Sequence, residues 1–282
     1  MDFTIIASVI TLGVMGLLFG GGLAYASMKF AVKIDPRVEM IRNILPGANC
    51  GGCGYPGCSG YAEAVVQGNA PPTLCSPGGS TTVEKIASIL GVEVGKFEPM
   101  VCVVQCRGGK KEAKEKFVYY GIKDCNAAVL LGGGSKACIY GCLGLGSCEE
   151  ACPYNAIKIN ENRIPVVDED LCTGCGLCVS ACPKGITKLV PRSQKVYVSC
   201  VNKERGKKVK DVCSVGCTGC TLCANPKTTP SGKVKMEDNL PVIPSDWIDY
   251  ETAVKKCPAK CLIVRGIPQL EETVEKVAEQ KN

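Results

Sequence analysis

The 282-residue sequence predicts an α+β chain: a single N-terminal transmembrane helix, a small helical metal-binding domain, and then tandem cysteine-rich units of which the second is degenerate. Three observations predict it. The chain opens on an uncharged apolar run, it carries 22 cysteines grouped at metal-ligand spacings, and the cysteine pattern recurs at a shift of 75 residues.

The apolar run, Phe3 to Ala26, has no charge over 24 positions. As a helix it would be roughly 36 Å long, enough to cross a bilayer. Asp2 precedes it and Lys29, Lys33 and Arg37 follow. The positive-inside rule then puts the N-terminus outside and the rest in the cytoplasm, as a single-pass protein of the cytoplasmic (inner) membrane. Ala24-Tyr25-Ala26 resembles a cleavage site, but no basic residue precedes the run and the thiols beyond it need a reducing compartment, so residues 1–28 read as a retained anchor. Gly16 and Gly20 stand at the spacing that lets a second helix approach closely.

The chain has no histidine, which excludes mixed cysteine-histidine zinc sites, Rieske centres and histidine acid-base catalysis. Neighbouring cysteines in C-x2-C runs lie too close to pair conveniently as disulfides, so all-thiolate metal chemistry remains: iron-sulfur clusters, or zinc held by four cysteines. The formal charge of +6 counts cysteine as neutral. Four or five clusters at about −2 each would bring the loaded protein to roughly −2 to −4, so no nucleic-acid partner is expected. The run KKEAKEK, Lys110 to Lys116, reads as a solvated face.

Residues 29–99 form the helical domain, built around Cys50, Cys53, Cys58 and Cys75 as ligands of a [4Fe-4S] cluster, with Gly51, Gly52, Gly54 and Gly57 letting the backbone wrap it. Residues 100–136 read as a cysteine-containing connector. In residues 137–192, Cys172, Cys175, Cys178 and Cys182-Pro183 make an intact C-x2-C-x2-C-x3-C-P, the bacterial-ferredoxin run whose fourth cysteine ligates the other of two clusters. Cys152 is thus assigned to the [4Fe-4S] site of Cys172, Cys175 and Cys178. Cys182 joins Cys142 and Cys148, where Leu145 occupies the expected third position. That leaves a three-thiolate site for a [3Fe-4S] cluster or a [4Fe-4S] cluster with one labile iron, Cys138 being an alternative fourth ligand. Ligand counting groups Cys102, Cys106, Cys125 and Cys138 as an additional [4Fe-4S] site.

The repeat carries Cys125, Cys138, Cys142, Cys148 and Cys182 onto Cys200, Cys213, Cys217, Cys223 and Cys257. Residues 193–266 are therefore a second ferredoxin-like unit, with Cys217, Cys220, Cys223 and Cys257 as one [4Fe-4S] site. The other four ligands are replaced together by Lys227, Trp247, Tyr250 and Ala253, so one cluster is lost. The total is about four to five clusters. Cys200, Cys213 and Cys261 receive no role. Residues 267–282 read as a helical tail with Leu270, Val274 and Val277 on one face.

The anchor, LPGANCGGCGYPGCSGYAEAV, RIPVVDEDLCTGCGLCVSACPKGI and VYVSCVNKERG together resemble the RnfB family in its long clostridial form. RnfB proteins are the iron-sulfur electron-transfer components of the Rnf complexes, the ion-translocating ferredoxin:NAD oxidoreductases. The resemblance implies a protein that accepts electrons from reduced soluble ferredoxin and relays them to other Rnf-type subunits, which reduce NAD while moving Na+ or H+. It departs from the pattern at Leu145 and at the lost ligands of the second unit. LGGGSK, Leu131 to Lys136, lacks P-loop spacing, so no substrate-converting site is expected in this chain of an oxidoreductase complex. Two other readings stand beside this one: a membrane-tethered polyferredoxin serving another reductase, and a structural protein with four-cysteine zinc sites.

Overall fold

The computed structural model describes residues 3–30, 35–95 and 97–266. The expected tail helix lies outside them. Helix α1, Phe3–Lys29, is long and apolar enough to cross a membrane, and none of its apolar stretch is buried against the rest of the chain.

The helical domain packs α2 (Pro36–Ile44), α3 (Gly57–Val66) and α4 (Gly79–Leu90) around Ile41, Tyr61, Ala62, Val65 and Ile86. Asp35 caps α2 by accepting the Arg37 N–H at 2.9 Å, and Pro36 occupies the first turn, where a missing N–H costs nothing. α4 ends at Gly91 in the left-handed conformation.

The first ferredoxin-like unit begins earlier than expected. Met100–Val104, placed by the sequence in a connector, is strand β1. After it come α5 (Cys125–Val129), α6 (Ser147–Glu150), β2 (Ile157–Ile159), β3 (Pro165–Val167), α7 (Leu177–Ser180) and β4 (Thr187–Pro191). β1 pairs antiparallel with β4, from Met100↔Pro191 to Val104↔Thr187, and β2 pairs with β3 as a hairpin. The residues between β1 and the first cysteine run are a long insertion within the unit.

The second unit repeats this order with β5 (Val196–Val198), α8 (Lys207–Val212), β6 (Lys235–Glu237), β7 (Leu240–Val242), α9 (Glu251–Lys256) and β8 (Leu262–Val264). β5 pairs with β8 and β6 with β7. Asp238 and Asn239 turn the β6–β7 hairpin with φ of 47° and 64°, the two positive values that a two-residue turn of this kind requires.

Arg265, after β8, clamps the two units together. Its guanidinium bonds both Glu169 oxygens, at 3.0 and 2.6 Å, and the Pro191 and Gln194 carbonyls. The lysine-rich run is only partly solvated. Ala113 is buried, Lys114 N–H donates to the Val212 carbonyl, and Glu112 accepts from Gly109 N–H and the Asn162 amide, so the run is stitched between the two units.

Candidate metal centres

In the helical domain Cys75 is buried beside Cys58, Cys53 and Cys50, and burial raises its pKa. The Asn49 side chain accepts the Cys58 N–H at 2.8 Å and so fixes the start of α3 against the loop. Tyr61 lies beneath the loop, and burial pushes its hydroxyl up to about 12. Gly52 lies against the first ferredoxin-like unit: a Cβ there would stand 2.5 Å from the Cys175 carbonyl oxygen. Tyr154 lies beside both Cys50 and Cys175. The helical domain's thiols therefore face those of the first unit directly.

In the first unit Cys172 and Cys178 are buried with Val101, Ala156 and Ile157, Cys152 packs against the same cluster, and Cys175 lies beside Cys178. Cys148 and Cys178 sit in the first turns of α6 and α7, entered through Gly146 and Gly176 at φ of 93° and 83°. Cys142, Cys148 and Cys182 line a second cavity, and a fourth thiol lines it with them, that of Cys125. Its place is set by a short polar relay. Cys125 N–H donates to Ser147 Oγ at 2.7 Å, and Ser147 Oγ–H donates to Asp124, the cap of α5, at 2.9 Å. Cys125 is thereby tied to the residue before Cys148.

The grouping of Cys102, Cys106, Cys125 and Cys138 is corrected by this arrangement, because the four are distributed over three places. Cys102, on β1, accompanies Cys172 and Cys178; its N–H donates to Cys172 Sγ at 3.4 Å and its sulfur shares a hydrogen bond with Cys178 at 3.5 Å. Cys125 lies with Cys142, Cys148 and Cys182. Cys106 and Cys138 line a third cavity, together with Cys200 and Cys213. The physical reason is the pairing of β1 with β4, which holds Cys102 in the sheet while Cys106 leaves its end. Cys138 is accordingly no neighbour of the Leu145 gap in this cavity, and the expected three-thiol site has a fourth thiol.

In the second unit Cys217, Cys220, Cys223, Cys257 and Cys261 line one cavity. Hydrogen bonds to Cys217 and Cys257 hold the proton on Cys261 and raise it, while the bond from Cys261 lowers Cys257 to about 5 and Cys217 to about 7. Cys102 behaves alike, raised by its hydrogen bond to Cys178 and by burial, with Cys178 lowered. Each of these two sites thus has a fifth thiol, Cys102 or Cys261, that is raised while a thiol sharing a hydrogen bond with it is lowered. Trp247 and Ala253 are buried, and the Trp247 and Tyr250 rings meet edge-on at 6.1 Å, filling the place where the repeat expects a second set of ligands.

The donor set fits iron-sulfur clusters. Among the described residues no three such side chains converge as the ligands of a single metal ion do, and the thiols ring cavities instead. Backbone N–H groups point at the sulfurs, as from Ile186 to Cys182 at 3.3 Å, which stabilises thiolate charge. Without a cluster, burial pushes Cys148 and Cys200 up to about 12, so loading must displace protons from them.

Comparison with known proteins agrees. A family model for an Fe-S cluster matches residues 45–77, and the 4Fe-4S dicluster domain matches residues 137–186. The chain is 44% identical over 92% of its length to the B component of the proton-translocating ferredoxin:NAD(+) oxidoreductase complex of Clostridium ljungdahlii, covering 90% of that protein. It is 44% identical over 89% of its length to the B component of the Na(+)-translocating complex of Acetobacterium woodii, covering 75% of it. It is 39% identical over 94% of its length to the B component of an ion-translocating oxidoreductase complex of Methanosarcina acetivorans, covering 100% of it.

Proposed function

Because the chain belongs to the RnfB family, the B components of the ion-translocating ferredoxin:NAD oxidoreductase complexes, we propose that it is the membrane-anchored electron relay of such a complex. It accepts electrons from reduced soluble ferredoxin and hands them to other subunits of the assembly, whose reduction of NAD is coupled to Na+ or H+ translocation. α1 is its anchor in the cytoplasmic membrane and the cluster-bearing part lies on the cytoplasmic side. The chain itself converts no substrate.

The observation that carries this reading is the contact of Gly52 with the Cys175 backbone, with Tyr154 between Cys50 and Cys175, which sets two thiol sites side by side. Bound [4Fe-4S] clusters supply one-electron storage by changing iron valence. Cys50, Cys53, Cys58 and Cys75 would hold one; Cys152, Cys172, Cys175 and Cys178 a second; Cys125, Cys142, Cys148 and Cys182 a third; and Cys217, Cys220, Cys223 and Cys257 a fourth. Apolar side chains pack against these thiols, and N–H donors such as that of Ile186 tune the sulfurs.

The test is anaerobic purification of the intact complex. Reduced ferredoxin should bleach the visible absorbance of this protein and support NAD reduction. A colourless, zinc-loaded protein, or one that ferredoxin fails to reduce, would overturn the reading. For topology, protease added to intact cells should leave residues beyond α1 uncut, and cleavage there would reverse the orientation.

A further inference from the structure

The cavity lined by Cys106, Cys138, Cys200 and Cys213 lies where the two ferredoxin-like units meet, and belongs to none of the four sites above. It takes two thiols from each unit, at equivalent positions. Gln105 N–H donates to the Ile186 carbonyl just beyond β1, and Ser199 N–H donates to the Cys261 carbonyl just beyond β5; Ile186 and Cys261 are themselves related by the repeat. Cys106 and Cys200, the next residues, are therefore counterparts. Cys138 and Cys213 are counterparts by sequence, each opening a C-x2-G-C run, CIYGC and CSVGC.

Their surroundings correspond as well. Cys106 Sγ accepts the Cys142 N–H at 3.5 Å, and Cys200 accepts the N–H of Cys217, the repeat partner of Cys142. Tyr140 N–H bonds the Cys138 thiol and Val215 N–H, its repeat partner, bonds that of Cys213. The units also reach across to each other. Asn202 of the second donates to Cys138 of the first at 3.5 Å, and Gly108 of the first lies so close to Cys213 of the second that a Cβ would stand 3.0 Å from its sulfur.

We propose that Cys106, Cys138, Cys200 and Cys213 hold an additional [4Fe-4S] cluster at the junction of the two units, an inference that rests on the electron-relay reading. An independent observation points the same way. Lys136 is 2% exposed, donates to the Gly108 carbonyl, and makes no ion pair with a carboxylate among the described residues. It stands near Cys138, Cys142 and Cys213. A buried ammonium is costly unless it is paired, and four thiolates on a cluster of net negative charge supply the missing partner. The N–H contacts from Cys142 and Cys217 place this centre between the Cys142 and Cys217 sites. It takes one electron from one of them and passes one to the other, the reduced ferredoxin of the relay being the source.

The experiment compares the anaerobically purified complex carrying the parent chain with Cys213→Ser and Cys138→Ser versions. Each variant should lose about four irons and a matching amount of sulfide per chain, and one EPR signal, with the other signals kept. Lys136→Met, which retains all four thiols, should keep its iron while the midpoint of that same signal moves to a lower potential, because a positive charge has gone. Full iron in both cysteine variants, or loss of one zinc in place of iron, would overturn the site, as would an unmoved midpoint in Lys136→Met. Those results in a parent complex that contains iron and reduces NAD would leave the relay reading intact, whereas a parent chain without iron would overturn the relay itself.

Discussion

The two ferredoxin-like units share a strand order and differ in what fills them. In the first, the β1–β4 pair and the β2–β3 hairpin enclose two four-thiol sites, that of Cys152, Cys172, Cys175 and Cys178 and that of Cys125, Cys142, Cys148 and Cys182. In the second, the β5–β8 and β6–β7 pairs enclose one, and Trp247, Tyr250 and Ala253 occupy the other place. The buried thiols of the first unit thus correspond to an aromatic core in the second. The strand pairs are kept on both sides of that exchange, so the backbone does not depend on which of the two fills the place. The same comparison explains Leu145. The first unit has Leu145 inside its cysteine run and a thiol from α5 in that site, whereas the second keeps Cys220 in the run; Cys200, which the 75-residue shift pairs with Cys125, is by strand position the counterpart of Cys106 and lines the junction cavity with it.

The comparison breaks most visibly at Cys125. Cys125→Ser should convert the Cys142 site to a three-thiolate one, read by EPR as a three-iron signal, and adding Leu145→Cys should restore the four-iron signal. Leu145→Cys alone should leave the iron content of the parent unchanged; a gain of iron from that single change would show that Cys125 is no ligand.

Trp247→Ala removes the core that stands in for the lost cluster and should destabilise the second unit by about 3–5 kcal/mol, measured by chemical denaturation. An effect below about 1 kcal/mol would mean that the aromatic replacement is incidental.

The five thiols around the remaining site of the second unit should separate by function. Cys257→Ser should lower iron by about four atoms per chain, while Cys261→Ser leaves iron unchanged and shifts that centre's midpoint. The basis is that Ile186 N–H bonds Cys182 in the first unit just as Cys261 N–H bonds Cys257 in the second, so residue 261 occupies a position that in the first unit is apolar. Equal iron loss from both variants would reverse the assignment.

The smallest effect concerns a turn. Gly146 enters α6 at φ of 93°, and its repeat partner Thr221 has φ of 62°, a conformation that a β-branched residue adopts only under strain. Thr221→Gly should stabilise the second unit by about 1 kcal/mol, visible as a raised denaturation midpoint with the iron content unchanged.

Local chemistry made much of this protein readable in advance. An uncharged apolar run of 24 residues has the length and composition of a membrane-spanning helix, C-x2-C-x2-C-x3-C-P is the spacing of a ferredoxin cluster run, and a repeat of 75 residues implies a duplicated unit. What the tertiary structure alone decided is which distant thiols meet. Nothing in the spacing of Cys125 shows that a hydrogen-bonded Ser147–Asp124 pair would anchor it beside Cys148. Nor does spacing show that β1 would pair with β4 and part Cys102 from Cys106. The CIYGC and CSVGC runs did carry a legible signal for the junction cavity, but its other two ligands correspond only through strand register. Register is set by pairing partners some 80 residues apart in the chain, Val104 with Thr187, and such contacts exist only once the chain has folded.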